Sequence, residues 1–398
     1  MTLNPTGRKA PTAEVLRTVR EIRDVQDEWE EFLRDWGGDH DVRQQPFFII
    51  NELEFAIDPM EPFVVILRDE GIRCVAPFFV VDRKITAHFG PLEIPAPTTR
   101  VLRPFGDRIV HGATSSESEN VQLVLRAVAP HMDEFDAIWL PEIRLPGDFW
   151  DFFGGGAVTR EGFRLTVIHP QTETVQQIKL PNTFEEYMVS LKGDTRRKRK
   201  KRLEQLEGAC GGKLSLSVCT AAHEIRDFLS IADTIRNNSW KVEVFSPNRW
   251  SNEKRIRFHE EIAERGWVRG YVLRCDDKPI AYQLGYRYRD LYVAEDVAYL
   301  NEVRSLSPGA GLMLLMLDDL CQNGASLVLL QPTDNELKRS FGNDTYVIGR
   351  AVVVANKSRA NRLLFGSQRF IAVQHERASR IVRRIRMSRR NRKTAERG

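Results

Sequence analysis

The alternation of hydrophobic and polar residues predicts regular elements along most of the first 170 residues. Apolar residues recur at helical spacing over residues 25–36, and a second apolar helix begins at Pro46. Residues 62–68 and 72–81 are rich in Val, Ile and Phe and are separated by a turn at residues 69–71, which is typical of a β-hairpin. The other elements predicted here are strands at residues 87–89, 137–140 and 163–168 and a helix at residues 119–129.

The pattern restarts after Pro170 with the elements of a second unit. Three strands follow one another with only short turns between them, at residues 267–274, 278–288 and 291–298. The other elements predicted here are strands at residues 175–180, 213–219, 326–330 and 346–354, and helices at residues 184–206, 222–237, 249–265 and 312–321. Both halves combine helices with hairpin-connected strands, so the predicted fold class is mixed α/β.

Length and composition are those of a globular protein with more than one domain. The 398 residues are 42% hydrophobic and 29% charged, and a domain typically takes about 150 residues. We predict a leader over residues 1–20, an N-terminal domain over 21–170, a C-terminal domain over 171–356 and a tail over 357–398. No apolar stretch approaches the ~18 residues of a membrane-spanning helix, and the leader lacks the apolar centre of a secretory signal. These features predict a cytoplasmic protein.

Neither metal nor disulfide chemistry is indicated by the cysteines and histidines. The five cysteines are an odd number without a pair at two-residue spacing, so we predict neither a disulfide framework nor a zinc site. The eight histidines are scattered and do not form a His-Glu-x-x-His arrangement. We therefore predict no metal cofactor and expect each histidine at the surface or in a hydrogen-bonded core position.

Charge is distributed unevenly between the body and the tail. Residues 357–398 hold fourteen Lys or Arg and two Glu, a net charge of +12, which leaves residues 1–356 with a net charge of −8. Leu364, Ile371 and Ala378 recur every seven residues and give a narrow apolar stripe on a basic helix. Such a helix either docks against the acidic body or lies peripherally on an anionic membrane surface. Interleaved aromatic residues are nearly absent, which argues against a nucleic acid partner.

A second basic run lies at the start of the C-terminal half. Eight of the eleven residues 192–202 are Lys or Arg, and the apolar face of the predicted helix lapses there for three turns. This stretch cannot be buried in an apolar core. It is either a solvated helix face or an electropositive entrance for an anionic substrate, an acyl carrier or RNA.

Glycines at the start of the predicted helix 312–321 suggest a phosphate site. The sequence Pro308-Gly309-Ala310-Gly311 follows a strand and a loop. Glycines at this position let a ligand approach the backbone, where unpaired N–H groups and the positive end of the helix dipole can bind a pyrophosphate. The alternative is that these glycines only turn the chain and allow the helix to pack on the sheet.

Residues 299–309 resemble a known signature. With Tyr299 at their start and Ser307-Pro308-Gly309 at their end, they are similar to the Tyr-Asp-x(7)-Ser-Pro-Gly motif of GNAT-type acyltransferases of the cellulose-biosynthesis, CelD-like group. Residues 279–282 resemble the Pro-Ile-Ala-x segment of that group, and Leu337-Lys338 resemble its Tyr-Lys. The resemblance covers about residues 25–360. It implies two tandem GNAT-like domains, of which the C-terminal one binds acetyl-CoA or another acyl-CoA as co-substrate.

The resemblance also implies which residues contact the ligands. Arg304 would replace a Gln/Arg contact of the GNAT pyrophosphate loop, whose place Leu306 holds here, and Leu300 and Leu337 replace the Asp and Tyr of the group. The implied cofactor-binding residues are Val297, Arg304, Ser307, Gly309, Ala310, Gly311 and Leu312. The implied substrate-binding residues are Arg196, Arg197, Arg199 and Lys338.

Two adjacent carboxylates are the candidates for a general base. Acylation of an amine needs a base that takes a proton as the nitrogen attacks the thioester. Glu295 and Asp296 lie on the strand that would line the cofactor, and the alternation of a strand places one on each face. The alternative is that one faces solvent and the other pairs with an arginine. Tyr292 and Tyr299 are either donors near the thiolate or core residues.

We therefore predict an acyl-CoA dependent N-acyltransferase that acts on an amine or amino sugar of envelope or exopolysaccharide metabolism. One alternative is a Fem-like peptidyltransferase, which shares the tandem fold but takes its acyl group from aminoacyl-tRNA. The other is a non-catalytic scaffold for a membrane or polysaccharide-synthase partner. Leu300, Leu306 and Leu337 favour this alternative, because they replace polar residues of the family motifs.

Overall fold

The computed structural model describes most of the chain. The described residues are 11–35, 42–84, 87–89, 92–94, 97–106, 109–112, 116–154, 159–243, 250–332 and 335–395. The strands are β1 (Thr12–Leu16), β2 (Glu61–Arg68), β3 (Ile72–Lys84), β4 (Ala87–Phe89), β5 (Leu92–Ile94), β6 (Thr98–Pro104), β7 (Val110–His111), β8 (Ala137–Leu145), β9 (Thr159–Arg160), β10 (Phe163–Lys179), β11 (Leu214–Cys219), β12 (Gly270–Cys275), β13 (Lys278–Tyr288), β14 (Leu291–Tyr299), β15 (Leu327–Leu329) and β16 (Asp344–Ala355).

Helices alternate with these strands in both halves of the chain. They are α1 (Val19–Asp24), α2 (Gln26–Asp35), α3 (Pro46–Glu54), α4 (Glu117–Val128), α5 (Asp148–Phe153), α6 (Phe184–Ser190), α7 (Gly193–Ala209), α8 (Ile225–Asn237), α9 (Glu253–Glu264), α10 (Pro308–Gln322), α11 (Glu336–Phe341) and α12 (Arg359–Ala395). The predicted hairpin, the three-strand succession and the apolar helix after Pro308 are all present, whereas the predicted helix end at residues 36–38 lies outside the described residues.

The chain forms two compact units that interleave in sequence. The first unit comprises Met1–Gly38, Met60–Thr172 and Val347–Gly398, and the second comprises Asp39–Pro59 and Glu173–Tyr346. Helix α3 belongs to the second unit because it packs on α9, where the rings of Phe48 and Phe258 meet edge to face at 5.2 Å. The sequence had assigned residues 39–59 to the N-terminal domain. That difference arises because the partner of α3 lies about 200 residues further along the chain.

The second unit is built around a mixed sheet. Its strand order is β11-β12-β13-β14-β15, followed by the C-terminal part of β10. The pairs from β11 to β14 are antiparallel, β14 and β15 are parallel, and β15 pairs antiparallel with β10. Helix α10 makes the crossover between β14 and β15, as a parallel connection requires. Its residues Leu312, Met316, Leu317 and Leu320 are buried in the core of this unit.

The first unit repeats this order of elements. Strands β1, β2, β3 and β6 pair antiparallel, and β6 pairs in parallel with β8 after the crossover helix α4. Strand β16 then pairs antiparallel with β8, so the end of the chain returns to this unit. Helices α1 and α2 follow β1 as α8 and α9 follow β11. The two units therefore share one topology, as the predicted tandem arrangement requires.

Two sequence expectations differ from the structure of the second unit. The helix predicted over residues 184–206 is two helices, because Leu191 and Lys192 take extended backbone angles between α6 and α7. Cys210 and Cys275 form a disulfide, whereas the sequence analysis predicted no disulfide framework. Their separation of 65 residues gave no local spacing signal, and the antiparallel pairing of β11 with β12 brings them together.

The basic tail forms the long helix α12 of the first unit. Its first turns dock on this unit, because Phe365 and Ala372 are buried and the Asn361 side chain donates to the carbonyl of Asp136 at 2.9 Å. Leu363 and Phe370 lie on the exposed side of the same turns, with 75% and 64% of their surface accessible. Docking on the acidic body was one of the two alternatives for this segment. Along the described part of the chain, no helix combines the length and the apolar character needed to cross a bilayer.

Candidate functional site

Strand β14 contains a β-bulge at the position of the two predicted base candidates. Leu284 of β13 is paired with Asp296, and the next residue, Gly285, is paired with Ala294, so Glu295 has no partner in β13. A bulge interrupts the alternation of side chains and bends the strand. The expectation that Glu295 and Asp296 lie on opposite faces is therefore wrong. Both carboxylates lie near side chains of the helical layer that contains α3, α8 and α9.

Asp296 is a buried carboxylate saturated with donors. Arg236 Nη1 donates to both of its oxygens at 3.1 and 2.9 Å, and Trp250 Nε1 donates at 3.1 Å. The ammonium of Lys241 and the hydroxyl of Tyr282 also donate to it. Burial lowers the pKa of Lys241, and the charge of Asp296 opposes that shift. The oxygens of this carboxylate are therefore occupied by two cations and two neutral donors of the protein itself, which suits a structural role.

Glu295 has a different environment. Its carboxylate makes no hydrogen bond within the described part of the chain, and its side chain is partly exposed. Burial raises the pKa of Glu295, with the nearby charges of Arg43 and Glu52 acting in opposite directions. A partly accessible carboxylate with a raised pKa and no fixed partner is suited to accept a proton at neutral pH.

A tyrosine and a histidine lie beside Glu295. The Tyr286 hydroxyl is within 3.1 Å of His259 Nε2, and the backbone carbonyl of Arg255 accepts from His259 Nδ1 at 2.6 Å. Burial lowers the pKa of His259 to about 4, so its ring is neutral at pH 7. Burial and then the charge of Glu295 raise the pKa of Tyr286. His259 is thus a hydrogen-bonded core histidine, as expected, and its ring and the Tyr286 hydroxyl are both uncharged at pH 7.

Strands β14 and β15 separate next to the bulge. They pair only from Leu291 with Leu327 to Val293 with Leu329. Strand β14 continues to Tyr299, and on this side its last residues have no strand partner among the described residues. Because unpaired strand edges carry free backbone donors and acceptors, this edge can hydrogen-bond an extended ligand.

The start of helix α10 offers fewer free amides than the sequence suggested. Ser307 is in the left-handed region at φ 55°, and its carbonyl accepts from the amides of Ala310 at 2.9 Å and Gly311 at 3.4 Å. Pro308 has no N–H group. Only the amide of Gly309 is left without a partner in this first turn within the described residues. A ligand phosphate would therefore meet one main-chain donor here, together with the helix dipole.

The two glycines of this turn have different surroundings. A Cβ atom on Gly309 would lie 3.5 Å from Tyr299 Cδ1 and 3.8 Å from Leu337 Cδ2, which are ordinary contacts. A Cβ atom on Gly311 would lie 2.6 Å from Leu206 Cδ2 of α7. Gly311 is therefore required by the close packing of α7 on α10, which is the structural alternative considered for these glycines.

This difference gives a prediction for stability. We expect Gly311→Ala to lower the free energy of unfolding by ~1–3 kcal/mol, because the added methyl overpacks the buried contact with Leu206. Gly309→Ala should leave stability unchanged or slightly raised, because its methyl fits and alanine favours a helix. Urea denaturation of both variants measures the difference. Equal stabilities would contradict the assigned packing of α7 on α10.

The predicted substrate residues are dispersed rather than convergent. Arg197 is exposed and pairs with Asp194 on its own helix, Arg196 is partly exposed, and Lys338 Nζ donates to the carbonyl of Gln331 at 2.6 Å. Arg199 is only 3% exposed and stacks on the ring of Phe341 at 3.5 Å. The expectation that no part of the basic run is buried is wrong at Arg199. Its aromatic partner is distant in sequence, so no local pattern indicated it.

The remaining predicted ligand residues occupy varied positions. Arg304 is exposed, Ser307 and Val297 are partly buried, and Leu312 is buried in the core of the second unit. The Tyr292 hydroxyl donates to the carbonyl of Arg269, so Tyr292 is a core residue, whereas Tyr299 lies against Gly309. Sequence reasoning missed the residues around Asp296, because Arg236, Lys241 and Trp250 belong to no motif.

Comparison with known proteins agrees with this topology. Residues 193–339 match the family model described as an acetyltransferase (GNAT) domain. The second unit holds a GNAT acetyltransferase domain. This domain includes the bulge of β14, helix α10 and the basic helix α7, and it supports an enzyme of the acyltransferase class. Among curated proteins, none matches the chain in sequence.

Solved structures share the fold of the whole chain at low sequence identity. FemX is 11% identical with a TM-score of 0.59, over 87% of this chain and 98% of that chain. The C-terminal domain of a putative lysylphosphatidylglycerol synthetase from Agrobacterium fabrum is 10% identical with a TM-score of 0.52, over 86% and 95%. L-PGS from Bacillus licheniformis is 11% identical with a TM-score of 0.50, over 87% and 96%. At these identities, the similarity shows a shared fold alone.

Proposed function

We propose that this protein is an acyl-coenzyme A dependent N-acyltransferase whose acceptor is an amine or amino sugar. The observation that carries the proposal is the bulge of β14, which leaves Glu295 without a strand partner next to the point where β14 separates from β15. The GNAT acetyltransferase match over residues 193–339 supports the same reaction class. The CelD-like signature at residues 299–309 supports an acceptor from envelope or exopolysaccharide metabolism.

In the proposed reaction, Glu295 is the general base. The amine nitrogen attacks the thioester carbonyl, the carbon–sulfur bond breaks, and the products are an amide and the thiolate of coenzyme A, which then takes a proton from solvent. The proton lost by the nitrogen goes to the carboxylate of Glu295, whose raised pKa brings it closer to that of the amine. Asp296 acts as a positioning residue, because its bonds to Arg236 and Tyr282 tie the bulge to α8 and β13.

The acyl donor would enter along the open edge of β14. The amides and carbonyls of an extended pantetheine arm can pair with free backbone groups of β14, as an added strand would. Its diphosphate would then approach the start of α10, where the Gly309 amide is free. When bound, coenzyme A supplies the activated acyl group as a thioester, and the chain supplies the base and the positioning.

Donor binding is tested by titrating the full chain with coenzyme A in a calorimeter. We expect saturable binding, and we expect Gly309→Ala to weaken it by about ten-fold, because its methyl takes up space beside Tyr299 and Leu337 where the diphosphate would approach, while its contacts remain ordinary ones. A matched control is Ala325→Gly, which alters a buried alanine that follows α10, far along the chain from its first turn. Absence of coenzyme A binding by the wild-type chain would reject the proposal.

A Fem-like transfer from aminoacyl-tRNA is the second candidate. Two observations favour it, namely the single free amide at the start of α10 and the exposed cations of α7. FemX is also among the structures with the same fold. Thermal-shift titration separates the two donors, because a ligand that binds only the folded chain stabilises it by an amount that increases with the ratio of ligand concentration to Kd. Stabilisation by tRNA without stabilisation by coenzyme A would replace the first proposal with this one.

A further inference from the structure

Arg199 is a buried cation without a counter-ion in the described part of the chain. It is 3% exposed, its Nη2 donates to Ser340 Oγ, and its guanidinium face lies 3.5 Å from the centre of the Phe341 ring. Its Nη1 is buried and has no hydrogen-bond partner among the described residues. Leaving a charged donor unpaired inside a protein is costly, so such groups usually mark a place where a partner binds.

The charge state of Arg199 also favours a bound anion. Burial lowers the pKa of Arg199 to about 10; the charge of Glu336 only partly offsets that effect, and the charge of Arg202 adds to it. The side chain still carries its positive charge at pH 7. An anion that reaches the guanidinium would supply the missing charge and the missing acceptor together.

Arg199 lines a pocket between α7 and α11 that is large enough for such an anion. The pocket has a volume of about 450 Å³. Helix α7 contributes Thr195, Lys198 and Arg202 besides Arg199, and α11 contributes Glu336 and Ser340. Three cations and two hydroxyl groups therefore surround the space, against a single carboxylate. This donor set suits a phosphate group, since arginine and lysine together match its charge and its several acceptor oxygens.

The pocket adjoins the first turn of α10. Leu337 lines the pocket, and the same side chain lies 3.8 Å from the position that a Cβ atom of Gly309 would occupy. The pocket and the first turn of α10 therefore lie on either side of Leu337. Helix α7 thus places cations near the loop before α10. In that loop, Leu306 stands where the GNAT pyrophosphate loop usually has Gln or Arg.

We propose that the pocket between α7 and α11 binds a phosphate group of a ligand, with Arg199 as its principal contact. The chemistry fits the diphosphate of the acyl donor and equally the phosphate of a phosphorylated acceptor. The identification of the ligand as an acyl donor or a phosphorylated acceptor rests on the proposed function. Binding of the phosphate itself does not depend on acyl transfer.

The test uses the full chain and inorganic pyrophosphate as the probe, with binding measured by calorimetry and thermal shift. We expect the wild type to bind, and Arg199→Met to bind at least about ten-fold more weakly. The matched control is Lys201→Met, which removes an exposed cation of the same helix that does not line the pocket. Its affinity should stay within about two-fold of wild type, because a remote surface charge is screened by salt.

A second variant keeps the test valid if Arg199→Met does not fold. Arg202 is exposed and lines the same pocket, so Arg202→Met should preserve the fold and weaken pyrophosphate binding several-fold. Absence of pyrophosphate binding by the wild type would overturn the proposal. So would an equal loss in Lys201→Met and in the pocket variants, because that result indicates general attraction to the basic helix.

Two further ligands identify the source of the phosphate. A loss of coenzyme A affinity in Arg199→Met assigns the pocket to the donor. Unchanged coenzyme A affinity with lost binding of glucosamine 6-phosphate assigns it to the acceptor. A chain that binds pyrophosphate in an Arg199-dependent manner but transfers no acyl group supports the pocket while it rejects the proposed function.

Discussion

Glu295→Gln is expected to lower kcat by about 10²–10⁴-fold while coenzyme A affinity stays close to wild type. The glutamine keeps the shape of the side chain but cannot accept the proton of the attacking amine. Steady-state kinetics with an acyl-CoA and an amine acceptor measure the effect. Glu264→Gln is the matched control, because Glu264 is exposed at the end of α9, whereas Glu295 lies on β14. A kcat within three-fold of wild type would exclude Glu295 as the base.

The pH dependence of the wild type should report the same group. Because burial raises the pKa of Glu295, the acid limb of kcat/KM should have its midpoint above the ordinary glutamate range. The raised pKa also means that the folded state binds the proton more tightly than the unfolded state does. Stability is therefore lost as pH rises from the ordinary value through the raised one. Glu295→Gln should remove this loss and unfold at a higher urea concentration than wild type at pH 7.

Asp296→Ala is expected to lower the free energy of unfolding by ~3–5 kcal/mol. The change leaves Arg236 and Lys241 buried and without their shared carboxylate, and such uncompensated charges are strongly destabilising. It also removes the acceptor of Trp250 and Tyr282. Urea denaturation followed by circular dichroism measures the loss.

A surface pair provides the comparison for this variant. Glu302 pairs with Lys278 at 2.5 Å, but both side chains are more than half exposed, so Glu302→Ala should cost at most ~1 kcal/mol. Adding Lys241→Met to Asp296→Ala should recover part of the lost stability, because one of the two orphaned charges is then removed. If Asp296→Ala costs no more than Glu302→Ala, the four-donor arrangement does not hold the bulge.

Local sequence signals predicted most elements of the fold. The hairpin of β2 and β3, the succession of β12, β13 and β14, and helix α10 follow from short-range hydrophobic periodicity and turn residues. These signals act within a few residues, so they do not depend on where the rest of the chain lies. The same local signals identified the glycine turn before α10 and the basic run on α7.

The details of the candidate site required contacts between distant residues. The bulge at Glu295 depends on how β13 pairs with β14, and a single unpaired residue changed the predicted faces of both carboxylates. The saturation of Asp296 depends on Arg236, 60 residues earlier, and the burial of Arg199 is reinforced by Ser340, 141 residues later. No spacing rule within one element contains these partners.

The sequence by itself determined most of the segments that become helices and strands, that the fold is mixed α/β, and where the basic and acidic charges lie. Periodicity, turn chemistry and composition are properties of neighbouring residues, so they are present before folding. Only the tertiary structure decided that residues 39–59 join the second unit, that Cys210 bonds Cys275, and that Glu295 rather than Asp296 is left free. Each of these outcomes depends on long-range packing, which selects among partners that the local sequence leaves equivalent.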